Sequence, residues 1–260
     1  IEWRRADTGQ ESQALADGLV NERVDVIVAS GTPAARAAMS ATAAIPVVFA
    51  NLGDPVAMGF AASLARPGRN GTGMSINSTE LYPKRVEFLH LLAPKAKRIT
   101  YLANSSNPIA AKMLEEVEIA ARTLGVRLQT LDARNAGELD AVLQTLRKNR
   151  PEAILVGGDG LYFVNQDKVA AAVRKTRTPA MFPYDVYHEH GALMSYGPSL
   201  RESGRLAAGY VDKILKGAKP SDLPIQQISR FELIIDLRLA REQGIKVPQE
   251  MLFRADKVIQ

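Results

Sequence analysis

Two segments of this chain of 260 residues repeat one another without a gap. Ile1–Gly31 aligns on Leu128–Gly158 when 127 is added to each residue number, so that Leu19 pairs with Leu146. In each copy the pattern predicts a strand, a polar turn, a helix, a buried strand and a loop of small residues. A supersecondary unit that recurs in this way predicts two similar α/β units within one chain.

The remaining pattern supports this organisation. Short apolar runs alternate with amphipathic segments, and the runs predict strands at 25–29, 46–50, 98–103, 153–156 and 180–182. Residues 108–125 predict a helix that stops at Gly125. Strands separated by helices indicate a parallel sheet with helices on both faces. We expect unit one to comprise 1–76 and 197–226, and unit two to comprise 77–196 and 227–260.

The repeat also suggests that unit one is incomplete at its start. The second copy is preceded by its own strand and helix, residues 98–125, whereas the first copy begins at residue 1. We therefore expect the natural protein to carry a segment upstream of Ile1. Without it, one edge of the unit-one sheet would be left uncovered.

Composition excludes several classes of protein. Apolar content of 46% and charged content of 23% are globular values, and no run of 18 apolar residues could form a membrane-spanning helix. Because cysteine is absent, disulfides, thiolate metal sites and cysteine nucleophiles are excluded. The net charge of +5 is spread along the chain rather than clustered, so nucleic acid is not a predicted partner.

Ligands of parallel α/β sheets bind at the carboxyl ends of the strands, and four loops are predicted there. Two of them place hydroxyl or amide side chains before a proline, Pro33 or Pro108, that suits the first helical turn. They predict a cradle for a small anion, with ordinary helix capping as the alternative. The residues concerned are Ser30, Gly31, Thr32 and Ala34 in one loop and Asn104, Ser105, Ser106 and Asn107 in the other.

Acidic and aromatic residues add further candidates. Asp159, which has no evident capping role, and Asp185 are predicted to hold a ligand ammonium group. Asp54 is a candidate too, although Gly-Asp-Pro also favours a turn. Tyr162 and Tyr184 are predicted to line the pocket, because a tyrosine both stacks and forms hydrogen bonds.

Signals for catalysis or a cofactor are weak. His188 and His190 alternate, no third metal ligand accompanies them, and a surface turn is the favoured interpretation. Neither Gly-x-Gly-x-x-Gly, a phosphate-binding loop nor Gly-x-Ser-x-Gly is present. We therefore predict neither an enzyme nor a cofactor or metal.

Several stretches, taken in order, resemble the ABC transporter substrate-binding family that includes importers associated with tryptophan and tyrosine. They cover almost the whole chain: Val26–Ala34, Ile45–Pro55, Leu64–Gly73, Leu102–Pro108, Gly191–Gly197, Val211–Pro220 and Leu233–Pro248. The resemblance implies a type I periplasmic-binding-protein fold and an ABC permease as partner. It also implies a periplasmic location, or an extracellular one with a membrane anchor if the protein is a lipoprotein. It also implies ligand contacts in the loops named above. Amino-acid binders of this family often have Thr-Asp-Asn where this chain has Gly158-Asp-Gly160.

The predicted function is capture of a small solute by closure of the two units. An aromatic or branched amino acid is the first choice of ligand, and an aromatic carboxylate without an amine is the second. One alternative function is a ligand-sensing domain of a regulator or receptor, which would require a fused DNA-binding or signalling segment. Another is an α/β enzyme acting on a sugar or nucleotide, which would require a catalytic pair or a phosphate loop.

Overall fold

The computed structural model describes residues 1–6, 9–76 and 81–260. The chain divides into two compact units, one formed by Ile1–Asn77 and Leu200–Arg230 and the other by Ser78–Ser199 and Phe231–Gln260. The first passage between the units falls at residues 77–80, which lie outside the described residues. Within the described ranges, no helix is both long enough and apolar enough to cross a bilayer.

The secondary structure alternates between strands and helices along most of the chain. The strands are β1 (Ile27–Ser30), β2 (Val47–Leu52), β3 (Gly71–Ile76), β4 (Arg98–Ala103), β5 (Arg127–Asp132), β6 (Ala153–Val156), β7 (Ala180–Phe182), β8 (Met194–Gly197), β9 (Gln226–Ile228), β10 (Glu232–Asp236) and β11 (Lys257–Ile259). The α-helices are α1 (Gly9–Asn21), α2 (Thr32–Ala41), α3 (Leu81–Leu92), α4 (Ala110–Thr123), α5 (Ala136–Lys148), α6 (Gly160–Val164), α7 (Gln166–Thr176), α8 (Leu200–Leu215), α9 (Leu237–Gln243) and α10 (Gln249–Arg254). Short 3-10 helices occupy Asp185–His190 and Pro220–Asp222.

Unit one contains a parallel sheet in the order β1-β2-β3-β9. The centre of this sheet is tightly packed at Gly73, whose φ of 129° lies in the region that only glycine adopts readily. A Cβ at Gly73 would also overlap the Phe49 backbone of the neighbouring β2. This glycine therefore lets the two central strands approach each other.

The strand predicted for the start of the first repeat is wrong, because residues 1–6 form no strand. Its counterpart in the second copy, β5, is held in place by parallel pairing with β4. Among the described residues of unit one, β1 pairs with β2 alone and its Val28 side chain is 51% exposed. A strand requires such a neighbour for its backbone hydrogen bonds, and no strand of the described part of the chain pairs with residues 1–6.

Unit two contains a sheet in the order β11-β10-β8-β7-β6-β4-β5, parallel except where β10 meets β8. Successive residues of β6 alternate between two cores. Ala153 and Leu155 pack among residues of α3 and α4, whereas Ile154 and Val156 pack among residues of α5 and α7. This alternation follows from the two-residue period of a strand and confirms the predicted sheet with helices on both faces.

Candidate functional site

The loops after β4 and β6 in unit two are joined through one carboxylate. Asp159 Oδ2 accepts a hydrogen bond from Asn107 Nδ2 at 2.5 Å, and Asp159 Oδ1 accepts from Asn104 Nδ2 at 2.8 Å. Oδ1 also accepts from Leu161 N at 2.8 Å, so Asp159 caps α6. The expectation that Asp159 has no capping role is therefore wrong. With only 6% of its surface exposed, this aspartate orders the surrounding loops.

The serines between the two asparagines are also held by side-chain contacts. Ser105 donates from N and Oγ to the two carboxylate oxygens of Asp132, at 2.7 and 2.6 Å. Ser106 donates from N and Oγ to Asn104 Oδ1, at 3.0 and 2.6 Å. Asp132, at the end of β5, was not predicted from the sequence, although its position at a strand end of the second repeat is a signal that could have identified it.

Pro108 does not occupy the first turn of a helix. Asn107 accepts hydrogen bonds at Oδ1 from Ile109 N (3.1 Å) and at its carbonyl from Ala110 N (2.9 Å). This turn delays the helix, so that α4 starts at Ala110 with Ile109 as its N-cap. The helix-based anion cradle predicted for this loop is therefore wrong, and the loop instead presents a network of amides and hydroxyls.

The aromatic candidates differ in their surroundings. Tyr162 is completely buried and donates its hydroxyl to the Ala103 carbonyl at 2.6 Å, so it lies in the core rather than facing a pocket, contrary to expectation. Tyr184 is partly buried, and its ring meets that of Phe163 edge-on with centroids 6.3 Å apart. Burial raises the pKa of Tyr184 to about 12. Asp185, the next residue, accepts from Ser199 Oγ at 3.1 Å.

A buried arginine in unit two was not anticipated from the sequence. Arg85 of α3 is only 1% exposed. Its guanidinium donates from Nε to the Tyr196 carbonyl at 2.8 Å and from Nη2 to the Pro183 carbonyl at 3.1 Å. Its guanidinium lies 5.2 Å from the centre of the Tyr82 ring. Because α3 follows the passage between the units and no predicted strand-end loop contains it, no local pattern pointed to Arg85.

The N-terminus of α2 in unit one is open. Its N-cap is Gly31 with φ 82°, and within the described residues no side chain caps the helix. Pro33, in the first turn, has no N–H, so Thr32 and Ala34 supply the backbone donors there. Ser30 is exposed and Thr32 is buried. Uncapped N–H groups and the helix dipole together favour a negatively charged group at this end.

The end of β2 and the loop after it contain two further polar residues of unit one, Asn51 and Asp54. Asp54 is exposed, and its Oδ1 accepts from Val56 N at 2.9 Å and Ala57 N at 3.0 Å, as in a turn. Asn51 has a positive φ of 58°, and its buried Oδ1 has no hydrogen-bond partner among the described residues. Asn51 was not predicted from the sequence, although asparagine is enriched in left-handed backbone.

Comparisons with known proteins agree on one family. The family model described as ABC transporter substrate binding protein matches residues 3–259. A "Tyrosine-binding protein" of Clostridioides difficile is 25% identical over 225 residues, which are 86% of this chain and 64% of that relative. The chain therefore spans less than two thirds of the length of this curated relative.

Two solved structures are similar over nearly the whole chain. A Streptococcus pneumonia ABC domain in complex with L-Trp is 27% identical with a TM-score of 0.83, covering 96% of this chain and 84% of that one. A conserved domain protein from Vibrio cholerae is 28% identical with a TM-score of 0.85 at the same coverage. The predicted type I periplasmic-binding-protein fold is confirmed.

Proposed function

Because the chain belongs to the ABC transporter substrate-binding protein family, we propose that it binds an aromatic amino acid outside the cytoplasm and delivers it to an ABC permease. The observation that carries the choice of ligand is the similarity, over nearly the whole chain, to a structure with L-Trp bound. The proposed role is binding and delivery, not catalysis. Closure of the two units on the ligand stays a prediction.

In unit one, the proposed contact is the ligand carboxylate on the N-terminus of α2. The N–H groups of Thr32 and Ala34 are the donors in question, since no side chain within the described part of unit one caps them. A helix N-terminus contributes about 0.3–1 kcal/mol to holding an anion at an exposed position, and more where the site is partly buried.

In unit two, the proposed contact is the ligand ammonium group on Asp159. Each carboxylate oxygen can accept about two hydrogen bonds. Oδ1 already accepts from Asn104 and Leu161, whereas Oδ2 accepts from Asn107 alone among the described residues. Oδ2 therefore retains capacity for one further donor, in a loop already held in shape by its neighbours.

Isothermal titration calorimetry of the purified chain tests the proposal. We expect dissociation constants in the micromolar range or tighter for at least one of L-tryptophan, L-tyrosine and L-phenylalanine, equivalent to about −8 kcal/mol. Tryptamine, which lacks the carboxylate, and indole-3-propionate, which lacks the amine, should each bind at least about tenfold more weakly than L-tryptophan. L-leucine and D-ribose are the controls for ligand class.

Two results would decide against parts of this proposal. Equal affinity for L-tryptophan and indole-3-propionate would remove the ammonium contact and favour an aromatic carboxylate as ligand. Binding of leucine or ribose with no heat from any aromatic amino acid would reject the proposed ligand class.

A further inference from the structure

Cations that are far apart in the sequence gather at one end of the unit-two sheet. Strands β4, β5, β6 and β7 are parallel neighbours, so all of them start at the end of the sheet opposite to the end that carries Asp159. Five exposed basic residues lie at or just before these starts: Lys95, Lys97, Arg127, Arg150 and Arg177. Each of the four strands is therefore entered through at least one cation.

The helices of unit two bring further cations to the same end. Helices α4, α5 and α7 each connect two parallel strands, so they finish where the next strand starts. Their last turns contribute five more exposed basic residues: Arg122, Arg147, Lys148, Arg174 and Lys175. The two sets together form the basic face of unit two.

The acids beside the basic face are outnumbered. Glu152 lies there and accepts at Oε2 from Lys97 N at 2.8 Å, and Glu242 lines one surface depression with Arg177. Within the described part of the chain, no residue of the basic face forms an ion pair. Exposed cations elsewhere, such as Arg205 and Lys216 of α8, are paired with carboxylates. The basic face therefore carries positive charge that the chain itself does not neutralise.

Helix stability accounts for only part of this charge. A cation in the last turn of a helix interacts favourably with the helix dipole, which explains residues such as Arg147. It does not explain Lys95 and Arg150, which lie outside the helices. Helices α1 and α2 of unit one have no basic residue in their last turns, and the repeat places Val20 where unit two has Arg147. The basic face is therefore a property of unit two and not a requirement of the fold.

We propose that the basic face docks on a membrane surface rich in anionic phospholipids. Such docking would hold the protein beside the membrane that contains its permease. Because the basic face and Asp159 lie at opposite ends of the unit-two sheet, the membrane contact leaves the proposed ligand contacts of this unit free.

A lipid surface suits this face better than a small anion or a nucleic acid does. Neighbouring strands lie about 4.8 Å apart, so cations at the starts of four of them extend over about 15 Å, too far for one small anion to contact. The segments 93–98, 122–127, 146–152 and 174–179 contain no aromatic residue on which a base could stack. The choice of a membrane over nucleic acid also rests on the proposed function, which places the protein outside the cytoplasm and next to a membrane.

Co-sedimentation of the purified chain with lipid vesicles, without any ligand, tests the inference. At low salt the wild-type chain should bind vesicles of phosphatidylcholine that contain about 30% phosphatidylglycerol, and it should not bind vesicles of phosphatidylcholine alone. Binding should disappear in about 0.5 M NaCl, because salt screens the attraction between exposed charges.

Two double variants with the same change in net charge locate the binding face. Arg147→Gln combined with Lys148→Gln removes two cations of the basic face and should weaken binding to the anionic vesicles at least about tenfold, since each cation near such a surface contributes about fivefold. Arg205→Gln combined with Lys216→Gln on α8 of unit one is the matched control and should change binding by less than about threefold. All four side chains are exposed, so both variants should fold, and circular dichroism checks that they do.

The outcomes separate this inference from the proposed function. No binding to the anionic vesicles, or equal weakening in the two double variants, would overturn the inference, while calorimetry with amino acids would still decide the proposed function. Binding to duplex DNA but not to the vesicles, lost in the Arg147→Gln and Lys148→Gln variant, would also overturn it and assign the basic face to nucleic acid. Vesicle binding that only this variant weakens supports the inference even if no amino acid binds.

Discussion

Asn107 donates its side-chain amide to Asp159 across 2.5 Å, although the two residues are 52 positions apart in the sequence. Both side chains are buried, and the bond connects the loop after β4 with the loop after β6. Because the aspartate also accepts from Asn104 and Leu161, one carboxylate determines the shape of both loops. Such ordering lowers the entropy lost when a ligand binds.

Replacing Asp159 by alanine should destabilise the chain by about 3 kcal/mol, from the loss of charge-assisted hydrogen bonds and of a helix cap. Urea unfolding followed by circular dichroism measures this change. Asp54→Ala is the matched control, since it removes an exposed turn-capping carboxylate and should cost about 1 kcal/mol or less. Equal losses in the two variants would contradict the central role of Asp159.

Tyr162→Phe should lower the free energy of unfolding by about 1 kcal/mol and leave ligand affinity unchanged. The hydroxyl donates to the Ala103 carbonyl within the core, and its removal loses that hydrogen bond while the carbonyl still accepts from Ala133 N at 2.9 Å. Tyr187→Phe is the contrasting variant. Its buried hydroxyl has no hydrogen-bond partner among the described residues, so its removal should be neutral or stabilising. A weaker affinity for the ligand in Tyr162→Phe would show that this ring does face the ligand.

Stability should fall as the pH drops below about 6.5, partly because of His188. Burial lowers the pKa of His188 to about 4, despite the opposing influence of Asp236 and Asp185. In the unfolded chain the imidazole titrates near 6.5, so the unfolded state binds more protons between about pH 6.5 and 4. The contribution of His188 to the free energy of unfolding is therefore complete above about pH 6.5 and is smaller by about 2 kcal/mol at pH 5.

Urea unfolding at pH 7.5 and pH 5 measures this effect. His188→Gln removes the titrating ring and should show a smaller loss between the two pH values than the wild-type chain. The hydroxyl of Ser195 lies 2.9 Å from His188 Nε2, so Ser195→Ala controls for loss of that hydrogen bond alone. Identical pH dependence in His188→Gln and the wild type would show that the ring is not protonated on unfolding in this range.

Gly73→Ala should destabilise unit one by at least about 2 kcal/mol. The added Cβ would overlap the Phe49 backbone and force an unfavourable positive φ. Gly209→Ala is the matched control in α8, where a Cβ would meet nothing within 4 Å. In a helix interior that change should stabilise by about 0.5–1 kcal/mol. Thermal unfolding tests both variants: the midpoint temperature should fall in Gly73→Ala and rise in Gly209→Ala.

Asp159 lies where the sequence predicted it, but its contacts were not predictable. Its location after a buried strand was predictable, because the run 153–156 is apolar and ends at glycine. Its partners were not predictable, since Asn104 and Asn107 come from another strand end. Tyr162 shows the same limit, because it was predicted to face the ligand and instead lies in the core.

The sequence by itself determined the architecture. Apolar periodicity and the repeat identified the alternation of strands and helices, because backbone geometry imposes the same period on every strand or helix. Only the tertiary structure decided which polar groups meet. Arg85 reaches Gly158 and Tyr184 from a different element, and such contacts depend on how elements pack rather than on any local spacing. Local patterns therefore determined the alternation of strands and helices, and packing determined which polar groups meet at the strand ends.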